Sequence, residues 1–102
     1  MIFVEGYVRL PPGALEQFMP AAEAQIRASR QETGCLDYAY ARDLLEPNTL
    51  RIAERWQDEA ALEAHFQTAH TAAFNQALAS LAMEAASVHI YAGAHRRALI
   101  ER

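Results

Sequence analysis

A chain of 102 residues fits one domain, and 52% apolar or aromatic content with 22% charge reads as globular rather than disordered. The net charge near −4, with all nine basic residues Arg, argues against nucleic acid or a membrane surface as a partner. A domain this small buries roughly 60–70% of the surface its unfolded chain exposes, so its core is thin and a partner subunit would help complete it.

The opening MIFVEGYVRL has no basic leader, and Glu5 and Arg9 interrupt its apolar run, so it reads as structure and not as a signal peptide. Ile2, Val4, Gly6, Val8 and Leu10 alternate with Phe3, Glu5, Tyr7 and Arg9, which predicts a strand ended by LPPG. From Ala14 to Glu32, apolar positions at Leu15, Phe18, Met19, Ala22, Ile26 and the small Ser29 follow helical spacing. Pro20 lies inside that stretch, so a kink or a late helix start is expected. Thr33-Gly34 stops it, with Gly34 suited to a left-handed cap.

The segment CLDYAYARDLL alternates again, with Leu36, Tyr38 and Tyr40 on one side. Cys35, the only cysteine, excludes an intrachain disulfide, fits a reducing compartment and reads as a small strand residue. A turn at EPN, residues 46–48, leads into TLRIAERWQ, whose Leu50, Ile52, Glu54 and Trp56 share a face, so the two strands form a hairpin. Helical patterning runs on to about Leu81, and EAASVHIYAG at 84–93 is a last strand. No run approaches the length of a membrane span, and the expected location is the cytoplasm.

The order β-α-β-β-α-β predicts an α+β, ferredoxin-like split βαβ sandwich: a four-stranded antiparallel sheet with its helices on one face. The expected domain is the whole chain, 1–102, with a core over 2–93 and a short amphiphilic tail over 94–102. No strand has a cleanly polar side. Phe3 and Tyr7 oppose the Val/Ile row of the first strand, and Tyr91 opposes Val88 and Ile90. A sheet with water on one side alternates more sharply, so a homodimer packed through the bare sheet faces is expected.

The stretch ERWQDEAALEAHFQTAH concentrates the candidate chemistry. Its apolar stripe through Leu62, Phe66 and Ala69 would lie about 120° from the stripe through Phe74, Ala77, Leu78 and Leu81 on one straight helix. One helix cannot press both onto one sheet, so a break near Thr68 is predicted, with Asp58 capping the first piece and Thr68 the second. The break puts His65 beside Leu62 and Ala69, and His70 beside Phe74 and Leu81, each on the inward edge of its own piece. HFQTAH is not H-E-x-x-H, and no nearby Cys or Asp completes a ligand set, so no metal centre is expected. Each histidine is a structural cap or a proton-handling group, an imidazole being suited to proton transfer near neutrality.

Glu54 points where its strand neighbours are apolar, so it needs a partner among His65, Arg9 and Arg42, or its pKa rises. Trp56 is a core or pocket-wall residue whose indole N–H needs an acceptor. Tyr7, Tyr38, Tyr40 and Tyr91 read as packing residues, with Tyr38 counted among possible ligand contacts. Gly-rich phosphate loops, nucleophile elbows and RNA-type aromatic strands are lacking.

Residues 32–74 carry three linked signatures: Gly34-Cys35 with Tyr38, Glu54-x-Trp56, and Ala64-His65-x-x-Thr68-x-His70-x-x-x-Phe74. In these the chain resembles the antibiotic biosynthesis monooxygenase (ABM) domain family, and the likeness in spacing extends over about residues 2–93. The resemblance implies a dimeric α/β-barrel of ferredoxin-like protomers and a monooxygenase. That enzyme would use O2 on quinol- or anthrone-type aromatic substrates without flavin, haem or metal. In such chemistry the phenolate or enolate supplies the electrons, and the protein deprotonates it, holds it and excludes water. Carried onto this chain, Trp56, Phe66 and Phe74 wall the pocket, His65 or His70 handles the proton, and Glu54 orients or tunes the histidine. The haem-degrading branch has an Asn and a Trp where Gly6 and His65 stand here, which disfavours haem breakdown. Anthrone-oxidising members have a polar group where Ile52 stands. The alternatives are a non-catalytic small-molecule-binding or stress-associated dimer, and a cofactor-free isomerase on the same scaffold.

Overall fold

The computed structural model describes residues 1–102. Its elements are β1 (Ile2–Arg9), α1 (Ala14–Arg30), β2 (Cys35–Arg42), β3 (Thr49–Trp56), α2 (Glu59–Phe66), α3 (Ala69–Ala79) and β4 (Ala85–Ala92). The four strands form one sheet in the order β2-β3-β1-β4, every neighbouring pair antiparallel. This is the ferredoxin-like arrangement expected, with the second helical stretch divided in two. No helix is long and apolar enough to cross a membrane.

Alternation along β1 sends Ile2, Val4 and Val8 inward, and Leu10 follows them. They divide between two clusters. Val8, Leu10, Leu15, Phe18, Ala22 and Leu50 fill one end, under the first half of α1. Ile2, Val4, Tyr38, Trp56 and Leu62 fill the other, under α2. Burying each of the larger side chains contributes about 1.5–3 kcal/mol, so these two clusters hold the helices to the sheet. The C-terminal end of α1 is fastened to β2 by Arg30, whose Nε donates to the Tyr38 carbonyl at 2.9 Å.

Pro20 does not delay α1, which is helical from Ala14 onward; the ring lies at the exposed surface, where only one backbone donor is lost. Leu36 departs from the expected alternation. Cys35 pairs with Trp56 and Asp37 with Arg55, so Leu36 is the extra residue of a β-bulge and is exposed, while Tyr38 turns inward. The bulge sets the aromatic register of β2.

The helix break occurs at Thr68 as expected, but the face of α2 that packs inward is Leu62 and His65, while Phe66 and Ala69 are exposed. Asp58 caps α2 by accepting from the Ala61 N–H at 2.9 Å, and Thr68 caps α3 by accepting from the Thr71 N–H at 3.3 Å. Gly6 lies between Ile52 of β3 and Val88 of β4, and a Cβ there would collide with the Ser87 carbonyl oxygen. Close approach of β1 to β4 therefore requires glycine, and no side chain can project from this position.

The helices leave β4 uncovered. Val88 and Ile90 pair with Gly6 and Val4 and so point to the helix side, yet they are 41% and 51% exposed. On the opposite face Phe3 pairs with Tyr91, and the Arg51 guanidinium lies 5.4 Å from the Tyr7 ring centre.

Candidate functional site

Between α3 and the sheet lies a cavity of about 260 Å3 that opens toward β4. Val4, Val8, Ile52, Phe74, Leu78, Val88 and Ile90 supply most of its wall; its polar groups include Gln25, Tyr38, Tyr40, Glu54, His65 and Thr71. Phe66 lines it too, at a half-exposed position, and Phe74 stacks on Tyr40 with ring centres 5.7 Å apart and planes 28° apart.

Glu54 is carried inside by the same alternation that buries Leu50 and Trp56. Its partner is none of those expected. Trp56 Nε1 donates to Glu54 Oε1 at 3.0 Å, a contact between residues two apart on one strand face. Burial pushes the Glu54 carboxyl up to about 7, although the hydrogen bonds from Trp56 and Tyr38 hold it down; the Glu32 charge adds to the rise. Tyr38 is pushed up to about 12, first by burial and then by the Glu54 charge, so it stands as a neutral phenol at physiological pH. Tyr38 and Tyr40 share a 2.6 Å hydroxyl–hydroxyl hydrogen bond.

Trp56 does not wall the cavity. It is wholly buried behind it, packed against His65 with ring centres 4.6 Å apart and edge-on to Tyr38 at 6.2 Å. As the last residue of β3, it lies beneath α2 rather than under the cavity. Its contribution is to hold Glu54 and the imidazole.

The two histidines part company. His65 is buried and lines the cavity. Its Nδ1 meets Glu32 Oε2 at 2.7 Å, and no hydrogen bond engages Nε2. His70 instead faces α1 and lines an outer groove of about 170 Å3 with Ala21, Ala24, Gln25, Ala73 and Phe74. The break at Thr68 turns α3 so that its first residues meet α1, where His70 Nδ1 lies 2.7 Å from Gln25 Oε1. His70 Nε2 reaches the same Glu32 Oε2 at 3.0 Å. Glu32 thus joins the buried ring to the half-buried one. Glu54 does not orient His65; Glu32 does.

Glu32 and Gln25 were not singled out from the sequence. Glu32 sits in the turn after α1, 33 positions before His65. The available signal was a polar stripe along the inward face of α1, where Gln25 and Ser29 are both buried in line with Glu32. The ligand-capable atoms of Glu32, His65 and His70 all lie within 4.8 Å of one another. A ligand set therefore does converge here, contrary to the reading of HFQTAH alone, because its acidic member comes from the far end of another helix.

The family model described as antibiotic biosynthesis monooxygenase matches residues 1–77. An uncharacterised protein of Synechocystis is 33% identical over 90 residues, which are 88% of this chain but only 61% of that protein's length. YcnE of Bacillus subtilis, named as a candidate monooxygenase, is 35% identical over 74 residues, or 72% of this chain and 78% of its own. Among solved structures, a Deinococcus radiodurans protein named as a candidate antibiotic biosynthesis monooxygenase superposes with a TM-score of 0.89. It covers 99% of this chain and 100% of that one, at 22% identity, a likeness of fold alone.

Proposed function

The chain belongs to the antibiotic biosynthesis monooxygenase family, and from that premise we propose that it oxygenates quinol- or anthrone-type aromatic compounds with O2, using Glu54 as the proton acceptor. The observation that carries this reading is a buried carboxylate, its pKa raised to about 7, on the wall of a largely apolar cavity. A base with a pKa near the working pH combines a useful ionised fraction with real driving force for proton transfer. An ordinary exposed carboxylate would be too weak a base to take a proton from a phenol or an activated methylene.

The reaction balances on substrate and oxygen. The activated CH2 or phenolic O–H gives its proton to Glu54, and the resulting carbanion or phenolate donates electrons to O2. For an anthrone-type methylene, a C–O bond forms to give a hydroperoxide, which loses water; the net change is CH2 plus O2 to C=O plus H2O. All four electrons come from the substrate. The chain's part is to hold the flat ring against Phe74, Ile52 and Val88, take the proton at Glu54, and line the wall beside it with the neutral, mutually hydrogen-bonded hydroxyls of Tyr38 and Tyr40. His65 closes the wall beside Glu54 and offers Nε2 as a second polar contact.

The cavity opens past half-exposed Val88 and Ile90, and the other sheet face presents Phe3 and Tyr91. A homodimer through that outer face would cover Phe3 and Tyr91 and is part of the proposal.

Oxygen uptake with a panel of hydroquinones and anthrones tests the reading. Turnover is expected for some of them, with Glu54→Gln losing about two to four orders of magnitude, as removal of a general base does. If ligands raise the melting temperature while oxygen consumption stays at the buffer rate, the protein is a binding module that keeps the family's fold. Exchange of substrate protons without oxygen consumption points instead to an isomerase.

A further inference from the structure

The hydrogen bonds around the Glu32–His65–His70 cluster decide which atoms of it face each other. Gln25 Nε2 spends its two hydrogens on Thr71 Oγ1 at 3.0 Å and the Tyr38 hydroxyl at 3.3 Å. Thr68 Oγ1 is placed to donate to the His65 carbonyl or to Thr71 Oγ1, each at 2.8 Å, so Thr71 Oγ1 stands as the acceptor toward both Thr68 and Gln25. The Gln25 oxygen is then the atom facing His70, and His70 Nδ1–H donates to it. A neutral His70 so oriented turns a lone pair on Nε2 toward Glu32 Oε2, 3.0 Å away and itself an acceptor already engaged with His65 Nδ1. In that state two lone pairs face each other inside the protein, and a proton or a metal ion between them relieves the contact.

We propose that this cluster is a binding site for a divalent transition-metal ion of the zinc class, with Glu32 Oε2, His65 Nδ1 and His70 Nε2 as ligands. The donor set is two imidazoles and a carboxylate, which suits zinc and its neighbours in the first transition row better than Mg2+ or Ca2+. The three atoms come from the turn after α1, from α2 and from α3, and already lie within 4.8 Å of one another. Tetrahedral bonds of about 2.0–2.1 Å place ligand atoms about 3.3 Å apart, so the 2.7 and 3.0 Å pairs open by a few tenths of an ångström as the nitrogens draw together. Gln25 supplies the outer support typical of a metal-bound imidazole, an oxygen accepting from the nitrogen that does not bind the ion. His70 at 28% exposure and Glu32 at 15% leave an entry from the outer groove and room for a water as fourth ligand. On binding, neutral His65 shifts its single ring proton from Nδ1 to Nε2, which frees the Nδ1 lone pair for the ion. The inference is independent of what the cavity does; the site exists whether or not Glu54 is a catalytic base.

Zinc titration of the chelator-stripped full chain against a competing chromophoric chelator tests it. Saturation at about one ion per chain is expected, with affinity falling at least about tenfold in His70→Ala and in Glu32→Gln, and by about 10–100-fold in Gln25→Ala. His89→Ala and His95→Ala, which alter histidines outside the cluster, should bind as the parent does. Because changes at a buried cluster can perturb folding, 15N spectra of the histidine rings in the unaltered protein give a second readout. Zinc should move the His65 and His70 resonances alone and convert His65 to the Nε2–H form. Binding no tighter than about 100 μM, or binding abolished by His89→Ala or His95→Ala but not by His70→Ala, overturns the proposal. So do ring spectra that show a doubly protonated histidine in the cluster undisturbed by zinc, since a proton then fills the place assigned to the metal.

Discussion

Trp56 and Glu54, two positions apart on one face of β3, are bound to each other: the indole N–H donates to the carboxylate at 3.0 Å. The pairing satisfies the one polar atom of a wholly buried Trp and gives a buried carboxylate the partner it needs. It also opposes the desolvation that raises the Glu54 pKa. Trp56→Phe keeps most of the apolar bulk but deletes the donor. The neutral carboxyl is then relatively favoured, so the Glu54 pKa climbs above about 7 and the rising limb of the pH–rate profile moves to higher pH. Loss of the hydrogen bond and of some volume should cost about 1–3 kcal/mol in urea unfolding. A profile that stays in place, with activity otherwise intact, would remove Glu54 from the proton transfer.

The same raised pKa makes Glu54 a pH-dependent liability for stability. Its folded value is about 7 and its ordinary value 4.5, so between these the folded state binds more protons than the unfolded state. Stability therefore falls as pH rises through that window, and the penalty is fully present above about 7. Its size is roughly 3 kcal/mol at most, from about 1.4 kcal/mol per pKa unit. Glu54→Gln keeps the shape and never ionises. In chelator-treated protein, the variant should melt higher than the parent at pH 8 and close to it at pH 4. A melting difference that is equal at both pH values contradicts the assignment.

Thr68 carries more than a helix cap. It accepts from the Thr71 N–H, as an N-cap does, and donates to the His65 carbonyl at 2.8 Å, one of the free carbonyls at the end of α2. Asp58 caps α2 at an exposed position and takes part in no such second bond. Asp58→Ala should cost about 1 kcal/mol, and Thr68→Ala toward 2 kcal/mol or somewhat more. Urea denaturation of the two variants side by side checks the order. Equal losses would mean that the junction of α2 and α3 is held by packing alone.

What was legible in the sequence follows from the range of the forces involved. Strand alternation and helix spacing are local, so all four strands, α1 and the break at Thr68 could be read directly, although Phe66, assigned to the inward stripe of the first piece, is exposed. Burial of Glu54 and its raised pKa followed from its place between Ile52 and Trp56. The bulge at Leu36 was not legible, because one extra residue flips a side chain without altering the composition of the strand. Nor was the Glu32 bridge, which depends on the end of α1 arriving beside α2 and α3. Partners tens of residues apart are set by the packed fold, and the sequence pattern around His65 and His70 contains no trace of them.

The outer face of the sheet remains the strongest clue to assembly. Phe3 and Tyr91 are paired neighbours across β1 and β4, and Tyr7 lies on the same side of β1 as Phe3. Tyr91 is half exposed, a poor arrangement for a surface left in water and a good one for a sheet that meets its copy. A Phe3→Arg, Tyr91→Arg double variant puts two like charges on that row. In a two-fold interface each charge faces its own copy's row, so the repulsion is doubled and desolvated. Light scattering behind a sizing column should give the mass of two chains for the parent at micromolar concentration and of one for the variant, with circular dichroism unchanged. A parent of 11.4 kDa in solution would mean that this face is not covered by a second copy.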